Sequence, residues 1–208
     1  MRTTSPRNLL AACLVLILSG WTLQASAHEI YDNVPRTAVV SAFPPELTLL
    51  KREINDDAVY SENGVEFTVG QLIGHDVVLF LTGVSVVNAT MTIQLALDSF
   101  NIKRIIFSGI AGGVNPQLNI GDVVVADRWG QYLEMLFARE VDDGWVKPPF
   151  FEYPYANFGM MFPRSVDVQK EAQSEQETRF WFPVDQSMLE EFQKSVDDIV
   201  LKLSLIHI

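Results

Sequence analysis

Three short stretches of small residues, each following an apolar run, are the places where this chain could do chemistry. Residues 104–108 (RIIFS) lead into Gly109-Ile110-Ala111-Gly112-Gly113. Residues 77–82 (VVLFLT) lead into Gly83-Val84-Ser85, and residues 37–41 (TAVVS) into Ala42-Phe43. A glycine after a strand lets backbone N–H groups approach a ligand where a Cβ would clash. Ligands of open α/β sheets bind beyond the carboxyl ends of the strands, so three such ends side by side would line one pocket. Taken singly, each is also an ordinary tight turn. The spacing is neither the G-x-G-x-x-G fingerprint nor a P-loop, so neither a dinucleotide nor a triphosphate is indicated. Cys13 is the single cysteine, and His28 and His75 stand isolated. No metal site is expected from them.

The elements that would position these ends can be read from pattern. Residues 46–54 read as a helix started by Pro44-Pro45, because proline suits the first helical positions. Residues 65–72 alternate, 73–76 turn, and 77–82 form a buried strand. Asn63-Gly64 is a turn signal just ahead of that pair. Residues 88–100 carry helical periodicity through Met91, Leu95 and Phe100, and 104–108 and 122–126 (DVVVA) read as strands. Strands separated by helices argue for an α/β layered domain with a largely buried sheet. From 145 to 184 aromatics and prolines crowd into a long irregular segment, read first as aromatics folded back onto their own domain, with a functional loop, lid or interface as the alternative. Asp185 then caps a helix whose stripe is Met188, Phe192, Val196, Ile199 and Val200.

Composition narrows the function classes. Of 208 residues 48% are hydrophobic and the formal charge is −11, enough apolar content for one domain core. So acidic a chain repels phosphate backbones, and no basic patch offsets this, so no nucleic-acid partner is expected. Arg2, Arg7, the apolar run 9–18 and Ala25-Ser26-Ala27 read as a secretory signal, residues 1–27. A retained anchor is the alternative. The expected product is periplasmic or secreted, without a stable membrane anchor after cleavage and without any cysteine. Residues 28–36 read as an N-terminal extension, 37–202 as the domain, and 203–208 (LSLIHI) as a translated sequencing adaptor, with genuine sequence expected to end near Lys202.

Three segments carry a resemblance: AVVSAFPPELTLLKREI from Ala38, VGQLIGHDVVLFLTGVSVVNAT from Val69, and IIFSGIAGGVNPQLNIGDVVVAD from Ile105. In order and spacing they resemble the purine nucleoside phosphorylase superfamily, in particular its 5′-methylthioadenosine/S-adenosylhomocysteine nucleosidase branch. The resemblance implies a three-layer α/β fold with a central mixed sheet, incomplete at the C-terminus. It also implies cleavage of a purine nucleoside N-glycosidic bond without metal or organic cofactor. The family's glutamate that orients or deprotonates the attacking water falls on Glu46. A carboxylate there would stabilise an oxocarbenium-like transition state and activate water. The alternative for Glu46 is a first-turn glutamate favoured by the helix dipole.

By the same resemblance Ala42, Val84, Ile110, Ala111 and Gly112 border the sugar and base. Phosphorylases of the superfamily hold phosphate with arginines and a serine, where this chain has Phe107 and Ile110. That disfavours phosphorolysis of the same style. The nucleosidase branch keeps a hydroxyl where Ile110 stands, and an aliphatic residue there resembles exported, storage-protein-like members. The family's ribose-gripping Glu and base-protonating Asp are expected downstream of this sequence, and its dimers make a homodimer a further expectation. The leading reading is an exported nucleosidase that uses water, with Glu46 as base, of which this sequence is about the N-terminal two-thirds, so that the fragment as written is expected to be inactive. The alternative is a nucleoside-binding, transport-associated or storage protein of the same fold. Phosphorolysis with a relocated anion site is a third.

Overall fold

The computed structural model describes residues 30–151, 156–169 and 175–196. The expectations for residues 1–27 and 203–208, and for Ile199 and Val200, lie outside these. The described residues form two compact units that divide between Gly112 and Gly113.

The first unit is built on β1 (Asp32–Ser41), α1 (Pro44–Glu53), β2 (Asn55–Glu62), β3 (Val65–Leu72), β4 (His75–Leu81), α2 (Val86–Ser99) and β5 (Phe100–Phe107). Its five-stranded mixed sheet has the order β2-β3-β4-β1-β5. β1 pairs in parallel with β4 on one side and β5 on the other. The pairs β2–β3 and β3–β4 are antiparallel. Two-residue turns close both hairpins: Asn63 and Gly64 have φ of 49° and 79°, Ile73 and Gly74 of 52° and 78°. These positive angles match the right-handed twist of the strands they join.

Alternation along β1 splits the core into two layers. Ala38 and Val40 pack with Phe67, Val69, Val78 and Phe80 against Ala96 of α2 and Phe100. Val39 packs with Val77 and Leu79 against Leu47 of α1 and Ile54. Helix, sheet and helix thus make three layers, as a sheet buried on both faces requires. β1 starts at Asp32, so it takes in part of the stretch expected to be an extension. Arg36 there is buried, paired with Asp32 at 3.0 Å and donating to the carbonyls of Val77 and Gly70.

The second unit pairs three-residue strands only. These are β6 (Arg128–Gly130) with β13 (Trp181–Pro183), β7 (Met135–Phe137) with β10 (Met161–Pro163), β8 (Arg139–Val141) with β9 (Gly144–Val146), and β11 (Val166–Val168) with β12 (Glu177–Arg179). The segment expected to be irregular therefore holds short strands. α3 (Gln186–Val196) follows, and the Oδ1 of Asp185 accepts the Met188 N–H at 3.1 Å, as the expected cap does. The strand expected at 122–126 is a correction. Val123, Val124 and Val125 are exposed and lie in no strand. Asp122 instead closes a turn, its Oδ2 accepting the Asn119 N–H at 2.8 Å while its own N–H donates to the Asn119 carbonyl. Without a neighbouring strand to ladder with, β-propensity alone does not hold three valines extended.

Candidate active site

The sheet order places the C-terminal ends of β4, β1 and β5 side by side, with Ser41 opposite Leu81 and Val40 opposite Phe107. The three glycine-containing or small-residue ends singled out from sequence therefore do share one edge of the first unit. They are fastened to each other. The Thr82 N–H donates to the Ser41 carbonyl at 2.8 Å, and the Ser108 N–H to the Val40 carbonyl at 2.9 Å. The buried Ser41 hydroxyl donates to the Ser108 carbonyl at 2.7 Å.

Glu46 occupies the third position of α1 because Pro44 and Pro45 take the first two. Its backbone N–H donates to the Phe43 carbonyl at 3.1 Å. Its carboxylate turns back toward the strand ends. Oε2 accepts the Ala42 N–H at 2.7 Å and the Phe43 N–H at 3.3 Å. Oε1 accepts the Ile110 N–H, from the glycine-rich loop, at 2.8 Å. A carboxylate offers about four lone-pair directions, so one direction on Oε1 remains for a water or a substrate. The N-terminal end of α1 adds a favourable field for the negative charge.

Of the residues expected at the site, Glu46, Ala42 and Ile110 are brought together by these bonds. Ile110 takes part through its backbone, while its side chain is 72% exposed. The Val84 side chain is 68% exposed and makes no bond to this carboxylate, and Ala111 and Gly112 are exposed in the loop beyond. Below Ala42 an open groove of about 1110 Å³ runs between α1, the β2–β3 turn and α2, lined in part by Phe43, Leu47, Thr82, Asn88 and Met91.

Sequence reading named Thr82 and Ser85 at the end of β4 but missed the bonds by which they, Asn88 and Thr92 shape the loop. Ser85 caps α2 with φ of 109° and ψ of 153°, a region nearly reserved for glycine. Its hydroxyl accepts the Asn88 N–H, and the Asn88 side chain donates to the Val84 carbonyl at 2.7 Å. The Thr92 hydroxyl donates to the Thr82 carbonyl. The signal was present as Ser85 and Asn88 three residues apart at a helix start. Among the described residues no group of three His, Cys, Asp or Glu could hold a metal ion, and no helix is long and apolar enough to cross a membrane.

Comparison with known proteins places this geometry among relatives. The family profile described as the phosphorylase superfamily matches residues 36–203. The 5′-methylthioadenosine/S-adenosylhomocysteine nucleosidases of Bacillus cytotoxicus and Bacillus thuringiensis subsp. konkukian are each 37% identical over 91 residues. That is 44% of this chain and 39% of each relative, so the chain spans well under half of their length. A solved nucleosidase of the same description from Streptococcus pneumoniae, bound to a transition-state inhibitor, is similar with a TM-score of 0.56 and 22% identity. The match covers 77% of this chain and 57% of that one. An S-adenosylhomocysteine nucleosidase from Streptococcus pyogenes, with 5-methylthiotubericidin, gives 0.57 and 23%, over 81% and 59%. These structural likenesses establish a common fold.

Proposed function

Because the chain belongs to the phosphorylase superfamily, we propose that the protein cleaves the N-glycosidic bond of a purine nucleoside of the methylthioadenosine or adenosylhomocysteine type, with water as the acceptor. The observation that carries this reading is Glu46, whose carboxylate is gripped by three backbone N–H groups from two strand ends and keeps one acceptor direction on Oε1. A group fixed in that way needs no reorganisation as positive charge develops on the sugar. Water seated on Oε1 would be oriented and partly deprotonated as it attacks the anomeric carbon. Phe107 and Ile110, which cannot bind an anion through their side chains, support water over phosphate.

The test is adenine release from methylthioadenosine by the protein that includes the sequence expected downstream of Lys202, with and without phosphate. Turnover that ignores phosphate and falls by about 10²–10⁴-fold in Glu46→Gln fits the proposal. Turnover that requires phosphate would replace it with phosphorolysis. A second reading has its own observation: the same three backbone bonds also suit a carboxylate that only braces the loop, beside an aliphatic Ile110. Nucleoside binding without release of base would establish that binding-only protein.

Export and assembly belong to the same proposal. Arg2, Arg7, the apolar run 9–18 and Ala25-Ser26-Ala27 support a secretory leader, and N-terminal sequencing of the exported product checks it, with cleavage after Ala27 expected. A homodimer, supported by the family's habit, would be read from sedimentation.

A further inference from the structure

We infer that Gly109 is a positioning residue whose missing side chain makes room for the Glu46 carboxylate against the loop after β5. This deepens the proposed reading of Glu46 and rests on it for its catalytic meaning. Glycine after a strand has two common reasons, backbone conformation and space, and here they separate. The glycines with positive φ are Gly64, Gly74, Gly83, Gly121, Gly144 and Gly159, so the backbone of Gly109 is not in the left-handed region. An alanine there would not have to take up a left-handed conformation. Space is a different matter. A Cβ at Gly109 would stand 2.8 Å from Glu46 Oε1, 3.1 Å from its Cδ and 2.9 Å from Cε1 of Phe107. Such approaches lie well inside van der Waals contact.

Both obstructing groups are ends of side chains, so an added methyl would push one or both aside. Phe107 is about half exposed, and no hydrogen bond holds its ring in place. Glu46 does not have that freedom, because Oε1 holds the Ile110 N–H and Oε2 holds those of Ala42 and Phe43. Moving Oε1 away from Gly109 breaks the 2.8 Å bond that fixes its remaining acceptor direction. Gly112, in the same run, is the internal contrast: a Cβ there meets nothing within 4 Å. At Gly113 a Cβ would meet only Leu118, at an ordinary 3.6 Å, so of the run's three glycines Gly109 alone is crowded by a neighbour.

The experiment compares Gly109→Ala in three backgrounds of the full chain: wild type, Glu46→Ala and Phe107→Ala, with Gly112→Ala as the stability control. Melting temperature is measured for all, and kcat and KM for methylthioadenosine for the variants that keep Glu46. Gly109→Ala is expected to lower the melting temperature in the wild type and in Phe107→Ala. In Glu46→Ala, where the carboxylate is gone, it should behave like Gly112→Ala. Misplacing a reacting group by about 1 Å costs about 10²-fold, so kcat should fall by about that factor while KM changes little. If the wild-type background does not fold with Gly109→Ala, recovery of folding in Glu46→Ala/Gly109→Ala is the supporting result. An equal effect in the wild-type and Glu46→Ala backgrounds overturns the proposal, as does relief by Phe107→Ala alone. Melting coupled to Glu46 with no base release by any protein, the sequence expected downstream of Lys202 included, upholds the positioning and rejects the nucleosidase reading.

Discussion

The two units of this chain use the same secondary structure in opposite ways. In the first, strands of seven to ten residues bury Ala38, Val40, Phe67, Val78, Leu79 and Phe80 to within 1% of full enclosure. In the second, every strand among the described residues has three residues, and the buried residues among those described are Ala138, Phe162 and Pro163. Large side chains such as Trp129, Phe137, Phe150 and Trp181 are exposed there. Isolated two-stranded pairs are marginal in water unless a packed face supports them. The difference teaches where rigidity resides: a carboxylate that must be held in place sits on the unit with a two-sided core.

Truncating a core ring in each unit is the strongest way to break that comparison. Phe67 is fully buried, with ring centroids of Phe80 and Phe100 at 5.1 and 5.3 Å. Phe67→Ala should cost about 3–5 kcal/mol, because transfer and cavity terms add. Phe158 meets Tyr132 edge-on at 5.4 Å yet is exposed, and Phe158→Ala should cost no more than about 1 kcal/mol. Denaturant unfolding followed by fluorescence and circular dichroism measures both. Amide exchange should agree, with β1 and β4 exchanging far more slowly than β6 to β13. Similar losses for the two substitutions would overturn the contrast between the units.

Single polar contacts sharpen the same comparison at smaller size. Ser41→Ala removes a buried hydroxyl donating to the Ser108 carbonyl, and should cost about 1–2 kcal/mol. Because that bond fastens the loop carrying Gly109 and Ile110, its loss should also slow turnover more than it weakens nucleoside binding. Asp185→Ala removes the α3 cap, and should cost about 1 kcal/mol of local helix stability. Its effect should be confined to the second unit, read as faster exchange of α3 amides with turnover unchanged.

Legibility from sequence follows the same division. β1, β3, β4, β5 and both helices of the first unit announce themselves as apolar runs or periodic stripes, because burial on two faces dictates their composition. β2 (NDDAVYSE) did not, since its acidic residues carry little hydrophobic signal and its strand character comes from pairing with β3. The reverse error fell on Val123, Val124 and Val125, apolar enough for a strand but with no partner alongside in the described structure. Nearly all of β6 to β13 was invisible for a related reason. β6 pairs with β13, about fifty residues on, and three-residue strands hold no period to detect. Glu46, Ala42 and Ile110 were named through the resemblance, and the structure brings these three together. The bond joining Oε1 to the Ile110 N–H spans 64 positions, and no local pattern encodes it. The need for space at Gly109 was hidden in the same way, since conformation and clearance look identical in a row of letters.

The smallest expected effect tests whether charge pairs in the exposed unit contribute anything to its fold. Arg128 donates to both Asp127 oxygens, at 3.0 and 3.1 Å from Nε and 2.7 Å from Nη2, and stands 5.9 Å over the Trp181 ring. Hydrogen bonds from Arg128 hold the Asp127 carboxyl below its ordinary value, against a smaller opposing effect of desolvation. A carboxyl whose folded pKa is depressed adds stability above its unfolded pKa and loses it as pH falls through the folded one. Both side chains are open to water, so the contribution should be slight and screened by salt. Arg128→Gln should raise the Asp127 midpoint, followed by NMR, back toward the usual carboxylate range, while the melting temperature at neutral pH barely moves. If the melting temperature instead drops by several degrees, and more so at pH 7 than at pH 3, then the Arg128 contacts to Asp127 and Trp181 clamp β6 to β13, and the second unit draws from charge the order that the first draws from its core.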